Sequence, residues 1–136
     1  MTDAPLPDRS AAPETSGDSS GDAEVPASVV FLSGDLMFAS RVRAAAQQAG
    51  LRFHLGGTLP EDDPRIAWVI VDLATRSGAV EGLVDRCHAA CPGAKVLAFG
   101  PHVQVARLEK ARQAGITTVL TRGQFDRSLG SIFQPS

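Results

Sequence analysis

The sequence has no run of 18 apolar residues and no charged-then-apolar leader after Met1. The first absence argues against a membrane-spanning helix and the second against a secretory signal. Cysteine is scarce: Cys87 and Cys91 are too few for a disulfide framework and suit a reducing interior. A bacterial cytoplasmic protein is therefore the expectation. No dense cluster of Lys and Arg marks an electrostatic nucleic-acid binder. Contact with nucleic acid or membrane is not expected. Among the loop glycines, Gly34, Gly56-Gly57 and Gly100 form neither a strand–GxGxxG–helix fingerprint nor a Walker loop. A GxSxG elbow and an ordered Ser/His/Asp set are missing too, so an enzyme is not expected. Cys87-His88-Ala-Ala-Cys91 puts two thiols on one helical face, but a structural metal site needs four ligands and neither His54 nor His102 is spaced to join them. The pair reads as core thiols, with no metal and no cofactor.

Charge is unevenly spread. Over residues 1–27, Asp3, Asp8, Glu14, Asp18, Asp22 and Glu24 face Arg9 alone, a balance of −5, and the remainder carries +3. This Pro-, Ser-, Asp- and Gly-rich stretch has too little apolar surface to offset ordering entropy, so 1–27 reads as a disordered acidic tail and 28–136 as one folded domain.

The centre of that domain is Trp68-Val69-Ile70-Val71-Asp72-Leu73, an apolar run ending in a carboxylate, as in a buried parallel strand. Further strands are expected at 28–32, 51–55, 95–99 and 116–120. Helices are expected at 36–49, 79–90, 103–114 and 124–132. Met37, Phe38, Val42, Ala45 and Ala46 form the inner stripe of the first, with Asp35 as its N-cap. Residues 58–66 leave barely one helical turn between the second and third strands, where a parallel crossover usually takes a dozen. The alternation predicts a doubly wound parallel sheet between two helical layers. Trp68 is expected in the core.

Residues 28–132 resemble the receiver domain of response regulators. The likeness rests on Ala49-Gly50 after the first helix, the acid closing the third strand, and Lys110-Ala-Arg-Gln-Ala-Gly115-Ile-Thr-Thr-Val-Leu-Thr-Arg122. It implies a flavodoxin-like sheet of five strands in order 2-1-3-4-5, here with a shortened second crossover. It also implies a site at the carboxyl ends of the strands. The family's phosphoacceptor aspartate corresponds to Asp72. Its Mg²⁺-holding acidic pair corresponds to Ser33 and Gly34, its Thr or Ser to Gly100, its lysine to Arg122 and the following proline to Gly123. Asp35 lies one position past the acidic pair, and Thr121 completes the cleft. With the pair and the hydroxyl gone, phosphoryl transfer loses its positioning and metal stabilisation.

The expectation is a degenerate receiver, or pseudo-receiver: a non-catalytic signalling module that contacts a protein partner or a second copy. The family's partner surface falls on about 103–133, where a short last helix is expected to expose Leu129, Ile132 and Phe133. Only 13 residues follow Gly123, so output is expected to pass through other chains. Asp72 is expected to pair with Arg122 or accept a hydrogen bond from Ser33. Two rivals are an atypical receiver still phosphorylated on Asp72 and a small ligand-binding protein or enzyme using the strand-end cleft.

Overall fold

The computed structural model describes residues 26–60, 63 and 65–134. Most of the acidic tail expected over 1–27 lies outside the described residues, as do Glu61, Asp62 and Pro64 of the short crossover. The elements are β1 (Ser28–Leu32), α1 (Leu36–Gln48), β2 (Arg52–Gly56), β3 (Ile66–Asp72), α2 (Leu73–Arg76), a 3₁₀ turn (Ser77–Val80), α3 (Leu83–Ala90), β4 (Lys95–Gly100), α4 (Val105–Gln113), β5 (Thr118–Thr121) and α5 (Arg122–Ser128). Every strand pairing is parallel and the order is β2-β1-β3-β4-β5, the flavodoxin-like arrangement expected.

Successive strand residues point to opposite faces, and the two faces differ in chemistry. Val29 and Phe31 of β1, Ile70 of β3 and Phe99 of β4 pack with α1 and α5. Val30, Leu32, Val69, Val71 and Ala98 pack with α2, α3 and α4. All six phenylalanines of the chain, with Trp68, belong to the first face. Phe99 stacks between Phe31, at 5.9 Å, and Phe125, at 4.5 Å between ring centroids. Offset aromatic stacking adds to the area these rings bury. The second face is aliphatic and holds both cysteines, Cys87 and Cys91, each fully buried.

The length of the connection from β2 to β3 shows why a helix does not fit the second crossover. It must return from the carboxyl to the amino end of the sheet and pass β1, a path of about 20 Å. Residues 57–65 wound as a helix would rise only about 13 Å, but extended they reach about 30 Å. No helix occurs among their described residues, and Leu59 packs onto the aliphatic face. Strand β2 is written for this. Phe53 and Leu55 pack on the α1 side, while Arg52 and His54, on the uncovered side, stay exposed. Such alternation marks a strand with one wet face.

Several boundaries differ from expectation, each for a local reason. The helix expected from residue 79 begins at Leu83, because Gly82 sits at φ +68°, in the left-handed region. The fifth strand starts at Thr118 rather than Ile116. Ile116 is buried in the preceding turn, its N–H donating to Ala111 O at 3.2 Å. In α1 the buried stripe is Phe38, Ala39, Val42 and Ala46, and Met37 is 86% exposed. One residue of phase, about 100° of rotation, turns Met37 away once Phe38 is committed inward.

The last helix, expected at 124–132, runs Arg122–Ser128, followed by turns to residue 134. Those turns fold back under the sheet. Leu129 and Phe133 are buried at 9% and 7% exposure and Ile132 is half-buried, so the exposed apolar surface expected at these three residues is not there. Phe133 meets the edge of Trp68 at 5.6 Å, and Trp68 itself is only half-buried rather than central to the core. No helix among the described residues is long and apolar enough to cross a membrane.

Candidate functional site

β3 delivers Asp72 to the carboxyl edge of the sheet with no exposed surface. The β-conformation of Asp72 lets its carboxylate cap the single turn of α2, and Oδ1 accepts from Ala74 N–H at 3.0 Å. Oδ2 accepts from two hydroxyls, Ser33 Oγ at 2.8 Å and Thr75 Oγ1 at 2.9 Å. Each hydroxyl also accepts a backbone hydrogen bond from the β1–α1 loop: Ser33 Oγ from Asp35 N–H at 3.0 Å, Thr75 Oγ1 from Gly34 N–H at 2.9 Å. The one proton of each hydroxyl is thereby committed to Asp72. A buried carboxylate of this kind needs hydrogen-bond partners, and here three neutral donors supply them.

The hydrogen bond from Ser33 to Asp72 is the one anticipated. The ion pair between Asp72 and Arg122 is absent. Arg122 opens α5, where Thr121 and Gln124 form a capping box: Gln124 N–H donates to Thr121 Oγ1 at 3.1 Å, and Thr121 N–H to Gln124 Oε1 at 2.9 Å. From that position Arg122 reaches Asp35 at 3.2 Å and lies over the Phe38 ring at 4.3 Å. Asp35 caps α1 as expected, accepting from Phe38 N–H at 3.0 Å. That hydrogen bond, reinforced by the Arg122 guanidinium, holds its carboxyl below the usual carboxylate range despite partial burial. The partners sort by solvation. Asp72 has no exposed surface and is served by local neutral donors, whereas Asp35 and Arg122 keep contact with water.

The remaining positions are filled from within. A Cβ on Gly100 would stand 3.2 Å from Leu73 Cβ, so the buried leucine following Asp72 takes the space a hydroxyl side chain would need. Arg76 lies across two loops, 3.3 Å from where a Cβ would project from either Gly34 or Gly57. Arg107 Nη1 donates to the Leu73 carbonyl at 3.3 Å and ties α4 to the start of α2. The donor set does not fit a divalent cation, which takes oxygen lone pairs. Ser33 and Thr75 present protons to Asp72, Gly34 contributes no side chain, and Asp35 is engaged by Arg122. Among the described residues no three His, Cys, Asp or Glu side chains converge.

Ser33, Gly34, Asp35 and Asp72 thus meet in one network, Arg122 joins it through Asp35, and Thr121 and Gly100 serve the walls. Thr75, Arg76 and Arg107 were not singled out from the sequence. Thr75 carried a signal, since Asp72-Leu-Ala-Thr75 has the local spacing of a side chain that bonds back to its own turn. The arginines carried none. Away from the site, burial and then the neighbouring Cys91 push the Cys87 thiol up to about 12, and burial raises Cys91. Both thiols are therefore kept in their unreactive protonated form.

Neither the protein families nor the curated proteins compared with this sequence match it. Solved structures do match. A response regulator from Burkholderia pseudomallei, with a phosphorylated aspartic acid, calcium ion and citrate, shares 14% identity at a TM-score of 0.59, over 79% of this chain and 66% of that one. This chain thus spans just under two thirds of that protein's length. A response regulator from Thermotoga maritima shares 14% identity at 0.52, over 79% and 99% of the two chains. The beryllofluoride-activated NtrC4 receiver domain dimer shares 16% at 0.54, over 77% and 94%. Likeness at such identities is likeness of fold, and the chain has the fold of response-regulator receiver domains.

Proposed function

We propose that this chain is a degenerate receiver that works in the cytoplasm as a non-catalytic signalling module, contacting a protein partner while Asp72 serves as architecture. The observation that carries this reading is the burial of Asp72: a carboxylate with no exposed surface whose oxygens both accept hydrogen bonds, from Ser33, Thr75 and Ala74. A phosphoryl donor would have to reach a carboxylate with no exposed surface, and the Ser33 and Thr75 hydroxyls beside it are committed to Asp72 rather than to a metal ion. A role through contact draws support from the exposed apolar side chains. Among the described residues the large ones, Leu36, Met37, Val103 and Val105, all sit just past the carboxyl ends of β1 and β4, around the same edge.

Intact mass before and after acetyl phosphate with Mg²⁺ tests the reading, with Asp72→Asn as control. No phosphoryl increment on the folded protein is the expected outcome. An increment on the wild type that the control lacks would establish the rival, an atypical receiver phosphorylated on Asp72.

A further inference from the structure

At the amino-terminal edge of the sheet, opposite Asp72, two short elements leave a gap. The first residue of β5, Thr118, pairs with Leu97, so β4 runs on through Val96 and Lys95 with no β5 partner beside it. Helix α5 ends at Ser128, and the turns after it bring Ile132 to one side of this gap. Val84 and His88 of α3 close the other side. The result is a half-open groove of about 390 Å³, within the range of small-molecule sites.

Its lining has a consistent character. Trp68, Leu120 and Ile132, all on the aromatic face, give an apolar floor, and the exposed Lys95 and His88 stand at the mouth. No Asp or Glu among the described residues lines it. The Lys95 ammonium lies 5.1 Å from the centre of the Trp68 ring, so this exposed side chain is held against the apolar floor rather than swung into solvent.

We propose that this groove binds a small amphipathic anion, a medium-chain or aryl carboxylate. Its apolar body lies on Trp68, Leu120 and Ile132 and its carboxylate faces Lys95. Among the described residues the lining carries the Lys95 cation and no acid, which selects the anion: a carboxylate leaving water needs a cation beside it, whereas an ammonium ligand would meet a like charge. The inference stands apart from the reading of Asp72, since the two sites lie at opposite ends of the strands.

Trp68 is the sole tryptophan and the chain has no tyrosine, so its emission reports on this groove alone. The full chain is titrated with octanoate, and in parallel with octylammonium. A saturable change in emission is expected with octanoate, with at least tenfold weaker response to octylammonium. Lys95→Met, with an unchanged far-UV spectrum, is expected to weaken octanoate about tenfold. Lys95→Arg is expected to restore it. No saturable response to octanoate, equal responses to the two amphiphiles, or indifference to Lys95→Met would each overturn the proposal. A change in Trp68 emission on raising protein concentration alone would also overturn it, by making a second copy the occupant.

Discussion

Asp72 is an acid whose surroundings supply only donors. Two of them, the Ser33 and Thr75 hydroxyls, are held in place by amides of the neighbouring loop. Removing the carboxylate in Asp72→Ala strands those hydroxyls and the Ala74 amide in a buried place. The expected loss is about 2–3 kcal/mol, read from urea unfolding. Asp35 has the opposite environment, a cation and a helix N-terminus, and its carboxyl titrates below the usual range. A group with a lowered folded pKa stabilises the protein fully above its unfolded value, near 3.9, and that stabilisation is lost as pH falls through the folded value. Asp35→Asn should therefore flatten the fall in Tm below about pH 4 and leave its shape unchanged near neutrality, as thermal melts across a pH series would show. The hydrogen bond from Ser33 to Asp72 was legible because both residues end neighbouring strands. The choice of Asp35 over Asp72 by Arg122 was not legible, because it depends on which acid keeps its water.

At the scale of elements, hydrophobic runs located all five strands to within two residues, because buried parallel strands carry continuous apolar sequence. Helix ends were harder to place. They depend on single backbone events such as the left-handed Gly82, or on a capping box that starts α5 two residues early. The short last helix was anticipated, but the use made of the residues after it was not. Leu129 and Phe133 read equally well as exposed or buried until the turn that folds them back is known. The short second crossover has a measurable consequence. β2 is an edge strand with Arg52 and His54 open to water on one face, whereas β1 and β3 are covered on both. Amide hydrogen exchange should show the β2 amides opening at a lower free energy than those of β1 and β3. Equal protection across the three strands would contradict this account.

Seen whole, the molecule is a sheet with an aromatic side and an aliphatic side. The aromatic side does the long-range joining: Phe125 of α5 stacks on Phe99 of β4 and meets Phe38 of α1 edge-on. One ring thus ties two helices to the sheet. Phe125→Ala should cost about 3–5 kcal/mol in the cavity it leaves. Urea curves followed by Trp68 emission and by far-UV circular dichroism should stay coincident in the wild type, since Trp68 touches Phe133 within the same cluster. A separate early transition at Trp68 would show the residues after α5 to be an independent flap.

The hydrogen-bond network around Asp72 also bears on how such a chain can change over time. A carboxylate at Ser33 would put a second buried charge against Asp72 and remove one of its donors. A hydroxyl side chain at Gly100 would collide with Leu73 unless the leucine moved as well. Each step toward a metal-binding phosphoacceptor lowers stability before any later step can reward it. Under the proposed reading of Asp72 the network acts as a ratchet: sequence drift can pass easily elsewhere on the surface, but acquiring phosphate chemistry would require several changes at once.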